Sequence, residues 1–198
     1  MKKLLTFFTV FFLSTPCHAA LTVWAHDYLK EMEKFALPSE SSDTVLTCRV
    51  TPGEYEPAAF GVRSSDTGKL KVTFVAGEDS RGLPEDWVEL FEVRSLSQNT
   101  RYNRLYELSG PVDLPADKNI YFWITLHPPE NAEAGLYTAR VLLEAGTTKR
   151  AITLQCEVLP FRLAESPILG GVFMAGTDLP ATWYRDMKEH GLDAIQFF

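Results

Sequence analysis

What the sequence lacks already excludes several classes of protein. Basic residues are outnumbered, 19 Lys and Arg against 26 Asp and Glu, so the net charge is −7. This balance does not supply the basic surface that nucleic-acid binding requires. The three cysteines are too few for a small fold held together by several disulfides. The longest apolar run, residues 4–13, is shorter than the roughly 20 residues of a membrane-spanning helix.

Motifs for cofactor chemistry are also missing. The sequence contains no phosphate-binding loop, no dinucleotide-binding fingerprint and no serine nucleophile elbow. Its four histidines, His18, His26, His127 and His190, are scattered, and none belongs to a cluster with metal-ligand spacing. We therefore expect neither a cofactor nor a metal site.

The first 19 residues have the pattern of a secretory signal peptide. Lys2 and Lys3 form the positive start, residues 4–13 form the apolar centre, and small residues occupy the −3 and −1 positions before a cleavage site after Ala19. A buried N-terminal helix is the alternative, but the run has no polar face. We expect a protein exported to the periplasm or the cell exterior, with no membrane segment after cleavage.

Residues 20–163 are dominated by short β-rich runs separated by Gly, Pro and Asp turn signals. This cadence predicts a mainly β fold, an Ig-like antiparallel β-sandwich of about seven strands or more. The predicted strands are residues 21–25, 45–50, 57–63, 69–75, 88–96, 120–126, 136–144 and 150–158.

Strand alternation places both cysteines that remain after signal cleavage on core faces. Cys48 alternates with Leu46 and Val50, and Cys156 alternates with Leu154 and Val158. Two interpretations stay open. The pair is either two buried free thiols or a core disulfide, which could join the two sheets if the Cα atoms lie within bridging distance.

The pattern changes to strand, helix, strand in residues 164–198. Residues 168–174 and 194–198 are strand-like, so the region predicts a βαβ unit with parallel strands. An isolated unit leaves its sheet uncovered, so we expect the front of a longer protein. The alternative is that this segment packs back on the sandwich. A helix is predicted between the strands, with Asp178 as its cap and Pro180 in its first turn. Leu179, Trp183 and Met187 form an apolar stripe, and Gly191 is placed to end the helix.

Four segments resemble the front of glycoside hydrolase family 123 and its relatives, which carry domain of unknown function 4091. Residues 51–62 (TPGEYEPAAFGV) and 121–137 (YFWITL, then PPENAEAGLY) resemble its N-terminal β-sandwich. Residues 159–163 (LPFRL) resemble the linker that closes the sandwich. Residues 186–195 (DMKEHGLDAI) resemble the start of the catalytic barrel.

The resemblance implies a β-sandwich followed by a (β/α)₈ barrel that removes terminal N-acetylgalactosamine from glycans. The substrate's acetamido group acts as nucleophile, and an Asp and a Glu from later barrel strands assist it. No part of this chain matches that motif, so we assign no catalytic residue. Residues 164–198 are expected to be an incomplete, truncated TIM barrel start, and the 198-residue chain is expected to be inactive.

Alternatives to this non-catalytic front portion are a stand-alone carbohydrate-binding or partner-binding sandwich and the remnant of a disrupted gene. For the binding alternative, Tyr121 and Trp123 share the face of one strand opposite its more apolar face. They either pack under another segment or form a platform for a sugar face. Trp87, Tyr102 and Tyr106 could extend such a platform.

Carboxylates are candidates for acid–base chemistry, because glycoside hydrolysis generally uses two of them across a cleft. Glu54 and Glu56 would share a face in an extended segment. Their position beside Pro52-Gly53 and Pro57 favours hydrogen bonding to a turn. Asp178 is more simply interpreted as a helix cap.

Overall fold

A computed structural model describes residues 21–38, 45–78, 81–95, 103–164, 170–174, 180–192 and 194–197. The predicted signal peptide lies outside these residues. The described residues between 21 and 158 form what we term the two-sheet body. Its strands are β1 (Leu21–His26), β2 (Val45–Val50), β3 (Glu56–Ser64), β4 (Gly68–Ala76), β5 (Val88–Ser95), β6 (Asn103–Glu107), β7 (Val112–Leu114), β8 (Asn119–Leu126), β9 (Gly135–Ala145) and β10 (Thr148–Val158).

The ten strands form two five-stranded sheets, with orders β1-β3-β8-β5-β6 and β2-β10-β9-β4-β7. The predicted mainly β class is confirmed. Neighbouring strands run antiparallel except β2 and β10, which are parallel, so a wholly antiparallel arrangement is wrong at this pair. The reason is topological: β2 follows β1 of the other sheet and meets β10 without a hairpin that would force antiparallel pairing.

Both sheets contribute to one hydrophobic core. The predicted alternation in β10 is confirmed, because Ile152, Leu154, Cys156 and Val158 are all buried. On the other sheet, the ring of Phe60 in β3 stacks on that of Phe122 in β8 at a centroid distance of 4.9 Å. Burying one such aromatic or aliphatic side chain contributes about 1.5–3 kcal/mol, so this core is the main source of the body's stability.

Two strands were missed from the sequence, β6 and β7. Strand β6 (NRLYE) is an edge strand that carries charged residues on its exposed positions, so it lacks an apolar alternation. Strand β7 has only three residues and pairs with the start of β4. Short, polar edge strands are defined by their neighbours rather than by their own sequence pattern.

The chain continues into β11 (Gly171–Met174), helix α1 (Ala181–Glu189) and β12 (Ala194–Phe197), which we term the βαβ segment. Strands β11 and β12 are parallel, which confirms the predicted βαβ order. Pro180 adopts an extended ψ of 140° and precedes the helix instead of lying in its first turn. Gly191 has a φ of +77°, as predicted for a left-handed helix cap.

The predicted apolar stripe of α1 is not buried over its described part. Trp183 is 48% exposed, and Met187 is partly exposed. The other proposed stripe residue, Leu179, and the proposed cap Asp178 lie outside the described residues. The apolar spacing therefore does not mark a buried face over the described part of this helix.

Candidate functional site

The predicted aromatic pair of β8, Tyr121 and Trp123, lies beneath β1 and the segment that follows it. Tyr121 is buried, and its ring meets that of Trp24 edge-on at a centroid distance of 5.9 Å. The ring of Trp123 meets that of Tyr28 edge-on at 5.7 Å. Both faces of β8 are thus covered, and neither ring stands free as a platform. The candidate carbohydrate contact at these two residues remains a prediction.

The other aromatics proposed for that platform are not gathered beside the pair. Trp87 packs on Tyr137 at a ring centroid distance of 5.1 Å, and the guanidinium of Arg94 lies 4.5 Å from the ring centroid of Tyr106. Tyr102 lies outside the described residues.

A buried polar cluster fixes the irregular segment after β1 onto the sheet. The side-chain amide of Asn119 donates hydrogen bonds to the carbonyl oxygens of Glu33 (2.8 Å) and Ala36 (2.7 Å). The hydroxyl of Tyr121 also donates to the carbonyl of Glu33 (2.8 Å), and the backbone N–H of Asn119 donates to the carbonyl of Lys34 (2.8 Å). Burial raises the pKa of Tyr121, which keeps its hydroxyl a hydrogen-bond donor. The segment is therefore held firmly without regular secondary structure.

Beside this fixed segment lies a cavity of about 940 Å³, which we term the edge groove. Residues 31–36 line it on one side, and residues 92–95 of β5 line it on another. Ile120 and Tyr121 of β8 also line it, together with Asp113 of β7. The groove thus combines apolar, aromatic and charged groups in one concave site, as small-ligand sites do.

A second feature joins the body to the βαβ segment. The ring of Tyr55, in the turn between β2 and β3, stacks on the imidazole of His127 at a centroid distance of 3.8 Å and an angle of 10°. The imidazole of His190, at the end of α1, lies 4.2 Å from the same ring at 33°. We term this the His–Tyr–His stack. Sequence reasoning treated these histidines as scattered and missed their convergence.

Hydrogen bonds fix both imidazoles of the stack. Nδ1 of His127 donates to the carbonyl oxygen of Glu54 (3.2 Å), and Nδ1 of His190 donates to that of Asp186 (2.8 Å). Burial raises the pKa of Tyr55, and the carboxylates of Glu189, Glu89 and Asp186 raise it further. The tyrosine therefore stays neutral in an acidic surrounding.

Of the candidate carboxylates Glu54 and Glu56, Glu54 serves the turn and Glu56 begins β3. Glu54 accepts a hydrogen bond from the hydroxyl of Thr51, and the N–H of Gly53 donates to the carbonyl of Pro128 (2.9 Å). Burial, and secondarily the charge of Glu54, raise the pKa of Glu56. The expected structural role of Glu54 is confirmed. Among the described residues, no group of three or more His, Cys, Asp and Glu side chains could hold a metal ion.

The two cysteines are direct neighbours. Cys48 and Cys156 face each other in the parallel β2–β10 register, and both are buried, as predicted. Both are free thiols, and the Sγ–H of Cys48 donates to the carbonyl of Gln155 (3.5 Å). A hydrogen bond with the Cys156 thiol and burial raise the pKa of Cys48. Because β2 and β10 belong to one sheet, a bond between them could not link two sheets. The disulfide itself remains a prediction.

Comparisons with known proteins give weak similarities of fold. No family model matches the chain, and no curated protein sequence matches it. A solved structure of a family 123 glycoside hydrolase from Clostridium perfringens, described for glycolipid glycan hydrolysis, aligns over 75% of this chain with 13% identity and a TM-score of 0.48. The chain spans 28% of the length of that enzyme.

Other solved structures align less well. The sporulation control protein Spo0M from Bacillus subtilis aligns over 71% of this chain and 49% of its own, with 10% identity and a TM-score of 0.33. A protein of unknown function from Porphyromonas gingivalis W83 aligns over 69% of this chain and 58% of its own, with 14% identity and a TM-score of 0.34. Likenesses at this level concern the fold alone, and no functional argument rests on them.

The described residues include no helix that is long and apolar enough to cross a membrane.

Proposed function

We propose that residues 20–163 are the non-catalytic N-terminal Ig-like β-sandwich of an exported glycoside hydrolase-like protein. Residues 164–198 begin its barrel, and the parent protein hydrolyses N-acetylhexosamine-type glycans. One observation carries this proposal: sequence segments that resemble the family meet in space. Tyr55 belongs to residues 51–62, His127 to residues 121–137 and His190 to residues 186–195, and their rings form the His–Tyr–His stack.

The stack gives the sandwich a supporting role. Helix α1 has nine residues, and isolated helices of that length are marginal in water, so it needs tertiary contacts. The other described side chains of α1 are exposed or only partly buried. The contact of His190 with Tyr55 therefore anchors the start of the barrel to the sandwich.

Catalysis is assigned to the rest of the barrel. Glycosidases place two carboxyl groups about 5–10 Å apart on either side of the bond to be cleaved. Glu54 is occupied by Thr51, and Glu56 lies beside it on the same chain segment. The Glu54 carboxylate is thus engaged in a turn, and we expect the 198-residue chain to have no hydrolase activity.

A second candidate function, a stand-alone carbohydrate-binding module, is favoured by the edge groove. This groove lies on the two-sheet body and uses no residue of the βαβ segment. It could therefore operate with or without a barrel.

The proposal is tested by reading the gene beyond codon 198 and expressing any longer product. We expect several hundred further codons, an Asp-Glu pair after a later strand, and hydrolysis of chromogenic N-acetyl-β-galactosaminide. The 198-residue chain serves as the inactive control. A stop codon directly after Phe198, or a longer product that cleaves no N-acetylhexosaminide, would contradict the parent activity. The first result would leave the binding module and the gene remnant as alternatives.

Export is tested separately with residues 1–19 fused to a periplasmic alkaline phosphatase reporter. We expect phosphatase activity and a mature N-terminus at Ala20. Replacing Leu4 and Leu5 with arginine should abolish export, because it interrupts the apolar centre of the signal. An inactive wild-type fusion that remains in the cytoplasm would remove the export part of the proposal.

A further inference from the structure

We propose that Arg94 of β5 and Arg104 of β6, which we term the arginine pair, bind an oxyanion group, a sulfate or a carboxylate. Both residues belong to the two-sheet body, and the site uses no residue of the βαβ segment. The inference therefore does not depend on the proposed glycosidase parent.

The strand register places the two arginines side by side on one face of the sheet. Arg94 lies directly opposite Arg104 in the antiparallel β5–β6 pair, and Glu92 lies directly opposite Tyr106. Because alternate residues of a strand share a face, all four side chains lie on the same face. Residues directly opposite each other have Cβ atoms about 4.5–5.5 Å apart, so the two guanidinium groups extend from adjacent positions.

Both guanidinium groups converge on the ring of Tyr106. Cζ of Arg94 lies 4.5 Å from the ring centroid, and Cζ of Arg104 lies 5.4 Å from it. Both distances are within the roughly 6 Å over which a cation is attracted to an aromatic face. The shared ring therefore holds the two cations near each other before a ligand binds, which reduces the cost of ordering them.

The arginine pair and the charged groups around it carry one excess positive charge. Oε2 of Glu92 lies 2.6 Å from Nη2 of Arg94. Asp113 is close enough to act electrostatically on Arg94, but its carboxylate is held by Nζ of Lys69 at 2.8 Å. Arg104 forms no salt bridge with another residue that the structure describes. Like charges directly opposite each other destabilise a sheet, and a bound anion would remove that repulsion.

The chemistry of the guanidinium groups selects an oxyanion. The Arg94 side chain is 54% exposed, and Arg104 is also exposed, so a ligand can reach both. Each guanidinium has five N–H donors in a planar fork that matches two oxygens of a carboxylate or a sulfate. A neutral ligand would leave the excess charge unpaired. The attraction must come from this local group, because the net charge of the whole chain is −7.

NMR titration of the 198-residue chain tests the inference, with ionic strength held constant by sodium chloride. The probes are sodium sulfate, sodium galacturonate and N-acetylgalactosamine sulfate, and unsulfated N-acetylgalactosamine is the neutral control. We expect saturable shifts of β5 and β6 amides with the anionic probes. Arg94→Gln and Arg104→Gln should each weaken binding at least about tenfold, because each removes charge-assisted hydrogen bonds. Arg150→Gln, at an exposed arginine of β10, is the matched control and should leave binding unchanged.

Glu92→Gln gives a test of the opposite sign. It removes the carboxylate that competes for Arg94 and keeps the shape of a side chain that is only 13% exposed. We expect it to strengthen sulfate binding about twofold to fivefold, the range that corresponds to a surface ion pair. A purely structural role of the arginine pair would not produce this gain.

Any of four results would overturn the inference. The first is equal sulfate binding by Arg104→Gln and Arg150→Gln, and the second is weaker binding by Glu92→Gln. The third is the same shifts with chloride alone at matched ionic strength. The fourth is no saturable shift up to about 10 mM of any anionic probe, where a site with a Kd of about 1 mM would be largely filled.

The anionic probes also identify the source of the oxyanion. Tighter binding of either acidic sugar than of sulfate would assign the anion to a saccharide, and equal binding would assign it to a free ion. Both results support the site. An active longer protein without anion binding would leave the proposed function standing, and anion binding without a hydrolase would do the reverse.

Discussion

The two-sheet body and the βαβ segment are stabilised in different ways. The body encloses one core to which both sheets contribute, and its central residues, such as Phe122 and Leu154, are fully buried. The βαβ segment has two short parallel strands and a helix with no buried residue over its described part. The body therefore supplies its own stability, whereas the segment depends on contacts made at its edges.

Removing an aromatic ring from the core of the body is expected to have the largest effect on stability. Phe122→Ala should lower the free energy of unfolding by about 3–5 kcal/mol, because it leaves a cavity next to Phe60. Trp183→Ala, in the exposed helix, should cost less than about 1 kcal/mol. Urea unfolding of both variants provides the measurement. Equal losses would show that the helix is as strongly packed as the body.

Oxidation of Cys48 and Cys156 to a disulfide should stabilise the body and leave the βαβ segment unchanged. A bond between them closes a loop of about 100 residues, for which stabilisation of about 2–4 kcal/mol is typical. Protein from an oxidising compartment should therefore unfold at higher urea concentration than the same protein after reduction. Cys48→Ser is the control and should show no effect of reductant. Two free thiols in the unfolded, unreduced chain would contradict the prediction.

A close packing contact inside the body gives a smaller effect. Gly61 lies against the ring of Trp24, and a Cβ at this position would come within 2.1 Å of Cζ2. Gly61→Ala should therefore cost about 1–3 kcal/mol, because the indole must shift. Gly68→Ala is the matched control, since a Cβ there meets nothing within 4 Å. Thermal unfolding compares the two, and similar melting temperatures would show that Trp24 adapts freely.

The smallest effect is expected from pH. The pKa of Glu56 is raised in the folded protein by burial and by Glu54, so the folded state holds its proton more strongly than the unfolded state. Its contribution to stability then falls as pH rises through that raised pKa. Glu56→Gln should stabilise the body slightly at pH 7 and have no effect at pH 3. Glu144→Gln should act oppositely at pH 7, because Lys149 lowers the pKa of Glu144. Stability measured across pH checks both signs.

Sequence patterns predicted the buried strand faces of the body better than its edge strand and its covering segment. Alternation identified the buried faces of β2, β8 and β10, because period-two burial is a local property of a strand. It could not identify β6, whose polar residues pair only through their neighbour β5. Nor could it show that the segment after β1 crosses β8 and covers Tyr121, since that contact depends on the tertiary path of the chain.

The contact between the two-sheet body and the βαβ segment could not be predicted from the sequence either. Tyr55, His127 and His190 are far apart along the chain, and no periodicity relates them. Their common signal was membership of segments that resemble one family. Only the fold brings the three rings together.

Hydrogen exchange of residues 181–189 in Tyr55→Leu tests most directly whether the body holds the βαβ segment through the His–Tyr–His stack. We predict that α1 amides lose their protection, while amides of β8, β9 and β10 exchange as in the wild type. Tyr106→Leu, at the opposite edge strand β6, serves as the control and should leave α1 unchanged. Full protection of α1 in Tyr55→Leu would contradict the anchoring role of the stack.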